Sequence, residues 1–482
     1  MKKYILYGIS GLMLMNACNS DEFLGVKPRG KDVPSTLQHY DGLLNNQFMW
    51  NSENPDQLYF TLLSDEFYAT PGSLDFLGMM TNGPQAGNAF RYMADIMRPD
   101  ENCTDWAYNS VLYTYNMVAN EVFDVSDGSH DERLAVQAEA RVMRAWMHFI
   151  MAQIFCKPYN ASTAATDPGL PVMKETDVTR KNFPRGTLQE LYDFIISELE
   201  DACLNVSNAT NSKYRTEKGD AYFFLGSVYY NMNRYDDALR ALRLSLQYCT
   251  ENNSLYLDDY TDAMNIMMLQ MMGGMWRMYY QNEEYLRCLY AINTAVTYYI
   301  PIVELMLPAA VYMKPKYMAL FGQGDGRVSR FAQGALDVDM RPAFPIETSL
   351  GATTPDLYTM IAECEARAGN ASAARSTLLT LREKRISADL AEIPESVNTK
   401  DALIRFCIEE RIREILGTGK LFFEMRRLYR DPLFADFIAD FKHEVISDED
   451  GSVLETYPLT EDRLTMRIPP EVMKWNDWEN NK

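Results

Sequence analysis

Apolar residues recur at three- and four-residue spacing over 105–123, 131–156, 187–204, 217–249, 355–385 and 400–430, the period of one helix face. Helical periodicity dominates the chain. Between these segments run long excursions, 45–100, 157–186, 250–350 and 431–482, rich in Gly, Pro and aromatic residues. The pattern predicts a helical scaffold that holds out loops, and ligand sites commonly sit on loops carried by rigid elements.

Two of the helical segments also fit a repeat. In 217–249, Tyr222, Leu225, Gly226, Tyr229, Ala238, Leu242 and Ser245 stand where a tetratricopeptide repeat places aromatic, Leu, Gly, Tyr, Ala, large apolar and small residues. Asn233 to Asp236 supply the turn between its two helices. In 355–385, Tyr358, Ile361, Ala362, Ala374, Leu378 and Leu381 take the same offsets, Glu365 replaces the usual Tyr, and Gly369-Asn370 form the turn. Small residues let antiparallel helices approach, and large apolar ones fill the groove between successive pairs. One pair cannot bury its own face, so neighbours are expected. The segments 133–156 and 187–204 fit as another pair, split by an insertion containing Pro158, Pro168, Gly169 and Pro171.

The N-terminus changes the picture. Lys2 and Lys3 precede an apolar run of 12 residues, Tyr4 to Met15, closed by Ala17-Cys18. The run is shorter than the roughly 20 residues a spanning helix needs and reads as a signal peptide, residues 1–17. A Cys after a small residue marks lipid attachment, so Cys18 becomes an acylated first residue, and several acyl chains hold a protein firmly to a membrane. The remaining 18–482 form one unit.

Composition narrows the function. Of 482 residues, 46 are Lys or Arg and 67 Asp or Glu, a net charge of −21, which disfavours nucleic acid as a partner. The seven other cysteines show no C-x-x-C spacing and read as small buried hydrophobes. His39, His130, His148 and His443 are scattered, with neither metal nor triad spacing. Gly417-Thr418-Gly419-Lys420 lacks the earlier Gly and the following Ser or Thr of a phosphate loop, and Asp448 to Gly451 lacks calcium-loop spacing. The paired acids Asp65-Glu66 and Glu283-Glu284 are expected as solvated surface, since a glycosidase needs two carboxyls brought together in space. No cofactor is implied, and the protein is expected not to be an enzyme.

Several stretches resemble the SusD/RagB family of outer-membrane nutrient-binding lipoproteins. Glu139-Ala140-Arg141-Val142-Met143-Arg144-Ala145-Trp146 is similar to its E-A-R-x-x-R-A-aromatic helix, and Phe155 to Tyr159 followed by Pro168-Gly169-Leu170-Pro171 to its "PG(I/L)P" passage. Asp356 to Cys364 with Gly369-Asn370 resembles E-x-Y-L-I-x-A-E…G-N. Glu410-Arg411-Ile412-Arg413-Glu414-Ile415, Gly419, Phe422 to Met425 and Arg427 resemble E-R-R-x-E-L…E-G-x-R-W-F-D-L-x-R, and Arg467 to Glu471 the terminal P-I-P-x-E. The resemblance implies an all-α protein: a tetratricopeptide-like right-handed superhelix, repeat helices mainly in 105–249 and 355–430, with a loop-rich binding lobe mainly from 45–100 and 250–350. It also implies an outer-membrane lipoprotein of a Bacteroidetes-type bacterium, facing the exterior. There it would bind oligo- or polysaccharide and deliver it to a SusC-like TonB-dependent transporter. A peptide-binding RagB-like lid and, less favoured, an anchored glycoside hydrolase are the alternatives.

A sugar ring wants a flat aromatic face and nearby amide, carboxylate or Arg groups. One aromatic cluster is Tyr59, Phe60, Phe67, Tyr68, Phe76, Phe90 and Tyr92, near Asp65, Glu66, Asp75 and Asn88. The other is Trp276, Tyr279, Tyr280, Tyr285, Tyr290 and Tyr298, near Arg277, Asn282 and Asn293. Trp276, Tyr280 and Tyr92 are the preferred contacts, followed by Tyr279, Tyr68 and Asn282. Met264, Met267, Met268, Met271, Met272 and Met275 form a helical stripe that reads as adaptable core. The charges of 409–427 read as structural, with Glu410–Arg413 and Arg411–Glu414 bridging along one helix.

Overall fold

The computed structural model describes residues 34–45, 59, 61–80, 83–98, 111–177, 179, 182–262, 285–287, 311–330 and 350–482. The helices of the first half are α1 (Leu37–Leu44), α2 (Pro71–Met80), α3 (Gln85–Phe90), α4 (Val111–Glu121), α5 (His130–Phe155), α6 (Leu188–Asn205), α7 (Lys218–Asn231) and α8 (Tyr235–Glu251). Then come α9 (Pro315–Met318), α10 (Thr354–Arg367), α11 (Ala371–Arg382), α12 (Lys400–Ile415), α13 (Lys420–Leu428), α14 (Ala435–Ala439) and α15 (Pro470–Met473). The segments read from periodicity are mainly helical where described, with turns at 232–234, 368–370 and 416–419. Cys18 and the stretch before it, residues 105–110, the methionine stripe, Glu283-Glu284, Cys103 and Cys288 lie outside the described residues.

Caps fix where the helices begin. Ser129 accepts from the N–H of Glu132 while Glu132 reaches back to Ser129, and Thr187 with Glu190 does the same for α6. From α4 to α8 each helix packs on the next, α8 packs on α10, and α10 packs on both α11 and α12. This sequential stacking is the tetratricopeptide-like all-α scaffold. Its close approaches fall where the repeat asks for small residues: a Cβ at Gly226 of α7 would stand 2.7 Å from the Leu242 side chain of α8. Ala238, Leu242 and Ser245 are fully buried in that seam.

The predicted segment 400–430 is not continuous. Gly417 (φ +83°) and Gly419 (φ +76°) sit in the left-handed region and break it into α12 and α13. Glycine adopts that conformation without the Cβ clash other residues meet.

Charged residues inside the scaffold tie helices together. Arg144 donates to Glu198 (3.1 Å) across α5–α6, Arg141 pairs with Glu198 (3.1 Å), and Arg215 pairs with Glu139 (2.6 Å). The E-A-R-x-x-R stretch is thus a set of interhelical locks. In α12, Glu410 and Arg413 pair at 2.9 Å as expected. Arg411 does not bridge to Glu414. It reaches Asp356 of α10 (3.0 Å) and Glu424 of α13 (3.1 Å), while Glu414 takes Arg327 (2.7 Å) and Arg385 (2.9 Å). Both are buried, and a buried charge is stabilised by several converging partners better than by one neighbour along its own helix.

Five cysteines, Cys156, Cys203, Cys249, Cys364 and Cys407, are buried free thiols. His148 is buried in α5, its Nδ1–H donating to the Arg144 carbonyl (2.8 Å) and its Nε2 accepting from the Met173 N–H (3.1 Å). Burial is the chief cause lowering its pKa to about 4; the hydrogen bond to the Arg144 carbonyl opposes it, and the Arg144 charge adds to it. The unfolded chain, at about 6.5, binds the proton first, so stability present above that pH is lost as pH falls toward 4. The full effect is about 3 kcal/mol. His148→Gln should flatten the dependence of the urea midpoint on pH between 6.5 and 4. An unchanged slope would refute this role.

Candidate ligand-binding lobe

Short strands mark where distant excursions meet. β1 (Phe67–Tyr68) and β2 (Tyr285–Arg287) come from the first and third excursions. They pair antiparallel with β3 (Tyr312–Met313) and β4 (Ala352–Thr353). The last excursion adds the hairpin β5 (Lys442–Ile446) and β6 (Val453–Pro458), and Val445 bridges in parallel to Ala69. The lobe therefore draws on 440–458 as well as on the two excursions the sequence nominated.

Its centre is a buried carboxylate. Asp65 meets the ammonium groups of Lys314 (2.7 Å) and Lys316 (2.6 Å), the hydroxyl of Tyr317 (2.9 Å) and the backbone N–H of Lys442 (2.8 Å). Glu66 accepts from the Ser64 hydroxyl at 2.9 Å. Both acids are fully buried, which corrects the expectation of a solvated surface pair. The reason is tertiary: the partners of Asp65 lie 249 to 377 residues along the chain, and Glu66 also accepts from the Gly417 N–H (3.3 Å), so local reading cannot see them. Burial lowers the pKa of Lys314 against the pull of Asp65, and raises Tyr317 well above its ordinary value with Asp65 adding to the effect.

Most of the first aromatic cluster packs. Tyr59, Phe67 and Phe90 are buried, while Phe76 is half-buried and Phe60 lies outside the described residues. Tyr92 is 7% exposed and stacks on His443, whose ring also stacks on Phe90, with centroids 4.4 Å apart in both cases. Its φ of +52° is the left-handed region, rarely occupied by an aromatic residue. Tyr92 is thus part of the lobe's core, because the stack removes its ring from solvent. Tyr68 is half-buried and stacks on Tyr312 at 5.3 Å. Asp75 is exposed, and Asn88 donates to the Ile96 carbonyl at 3.4 Å. Trp276, Tyr279, Tyr280 and Asn282 lie outside the described residues, and the second cluster enters them only through the backbone of β2. Among the described residues no group of three or more His, Cys, Asp or Glu side chains is placed to hold a metal ion. No helix among them is long and apolar enough to cross a membrane.

A superhelix of antiparallel helix pairs carrying a lobe of converging loops defines a class. Residues 76–230, from α2 to α7, match the family model SusD-like_3, described as "Starch-binding associating with outer membrane". The fold extends the likeness to nearly the whole chain. A SusD superfamily protein from Bacteroides thetaiotaomicron superposes with a TM-score of 0.69 at 15% identity, covering 93% of this chain and 100% of that one. A putative sugar binding protein from Bacteroides vulgatus gives 0.66 at 15% identity, covering 94% and 99%. A SusD-like carbohydrate binding protein from the same species gives 0.62 at 13% identity, covering 90% and 95%. No curated protein matches the sequence. Residues 76–230 thus match a SusD-like family model, and the chain as a whole has the fold of the SusD superfamily structures.

Proposed function

We propose that the protein captures oligo- or polysaccharide at the cell surface and delivers it to a SusC-like TonB-dependent transporter, without catalysis. The acyl chains on Cys18 would hold it to the exterior of the outer membrane, residues 1–17 having been removed. The match of residues 76–230 to a starch-binding, outer-membrane-associated family carries this reading. Tethering keeps ligand, lobe and transporter at high effective concentration, so weak binding suffices. The proposed contacts are Trp276, Tyr279, Tyr280 and Asn282 from the 250–350 excursion and Tyr68 from the 45–100 excursion.

Calorimetry of the chain starting after Cys18, against a panel of polysaccharides and peptides, tests this. Saturable binding of one glycan class without turnover is expected, weakened at least about tenfold in Trp276→Ala. Binding confined to peptides would sink the glycan reading in favour of a RagB-like role. Silence throughout would leave only a transporter lid.

A further inference from the structure

We propose that Trp475, at the tip of the C-terminal loop 468–480, is a second carbohydrate platform that holds an uncharged pyranose ring of a long glycan apart from the main site. This rests on the glycan-capture reading above.

The loop is closed at its base by its own backbone and amides. The N–H of Ile468 donates to Asn480 Oδ1 (2.8 Å), and Asn480 Nδ2 returns a bond to the Ile468 carbonyl (2.9 Å). Next in line, Asn481 Nδ2 donates to the carbonyls of Phe155 (2.8 Å) and Met466 (2.6 Å), and the Met466 N–H to that of Ile154 (2.9 Å). Arg185 donates to the Glu479 carbonyl (2.8 Å) and Trp478 to that of Phe183 (2.7 Å). Both ends of the loop are therefore fixed to the last turn of α5 and to the segment leading into α6. A loop whose ends meet and are pinned presents its tip as a rigid element.

Inside the loop the apolar residues face the protein. Ile468 is buried, and Val472, Met473 and Trp478 pack against the core. Trp475 breaks the pattern at 58% exposed. Its indole N–H is held by Glu471 Oε1 (3.3 Å), whose other oxygen takes the ammonium of Lys474 (2.6 Å), so the ring is oriented before anything binds. A flat aromatic face with a carboxylate and an ammonium at its edge matches the C–H face and hydroxyl rim of a pyranose. Glu471, Asp477 and Glu479 outnumber Lys474 on the loop, which selects against an acidic sugar. Ordering a Trp costs little, since only two torsions are fixed.

The full chain in detergent should be run through native gels containing soluble starch, dextran, xylan or galactomannan. Wild-type protein should be retarded by at least one of them. Trp475→Ala should weaken that polymer's binding roughly fivefold, and Trp475→Phe less. Binding of a short oligosaccharide cut from the same polymer should stay unchanged, as should the thermal midpoint. Retardation equal in wild type and Trp475→Ala overturns the second platform and leaves glycan capture standing. Equal losses on polymer and short oligosaccharide overturn it too, by placing Trp475 in the main site. No retardation of the wild type in any gel refutes both readings together.

Discussion

Replacing Arg427 with Ala should lower the stability of the folded chain by about 3–5 kcal/mol, the usual cost of stranding a buried charge. The Arg427 side chain has no solvent exposure and ties its own helix to three others. From α13 it grips Glu363 of α10 in bidentate fashion at 2.9 and 3.0 Å, and donates to Tyr230 of α7 and to Tyr235 of α8, both at 2.9 Å. Glu424 completes the shell, and the guanidinium lies 4.1 Å from the Tyr230 ring centre. Burial alone would push the pKa of Glu363 up; Arg427 and Arg367 overcome it and hold the carboxyl below its ordinary value. Removing Arg427 leaves Glu363 with one guanidinium, Arg367 at 2.6 Å, beside the Tyr230 hydroxyl. Urea unfolding followed by circular dichroism measures the loss. A double-mutant cycle with Glu363→Gln should return a large coupling, because each group's cost is the stranding of the other. A loss under about 1 kcal/mol would show that water enters to replace the missing partner.

Glu410→Gln should cost a similar amount, about 3–5 kcal/mol, by a different route. Glu410 is fully buried in α12 and takes three arginines: Arg382 (2.6 Å), Arg327 (2.7 Å) and Arg413 (2.9 Å). Desolvation disfavours its charge, but Arg327, Arg413 and Arg382 outweigh that and lower its pKa to about 2. A carboxylate lowered in the folded state contributes stability that is fully present above its unfolded value and lost as pH falls toward 2. The amide keeps the shape and removes the charge. Arg382 then has no carboxylate, only the carbonyls of Leu390 and Ala391 and the Phe406 ring besides the new amide, while Arg327 still has Asp325 and Glu414. The variant should therefore be weakened at neutral pH and lose less than wild type on acidification from about 4.5 to 2. Two parallel stability curves would exclude Glu410 as the acid-labile node.

What local sequence determined follows from physics acting over one or two helical turns. Apolar period, the small residues Gly226 and Ala238, and the Ser129 and Thr187 caps place the scaffold helices and their seams within a few residues. The charges of 139–146 and 410–427 follow the same logic: they meet partners on other parts of the scaffold, which constrains their spacing. Tertiary structure alone decided three things. It moved Arg411 from Glu414 to Asp356 and Glu424, because in a dry interior a charge goes where several acceptors converge. It turned Asp65-Glu66 from expected surface into the centre of a lobe, since Lys314 and Lys442 arrive from chain segments no local window contains. It also took Tyr92, a preferred ligand contact by sequence, into a stack with His443, while leaving Trp475 in the open. An aromatic side chain carries the same hydrophobic surface wherever it stands, and only the packing around it settles whether that surface meets the protein or water.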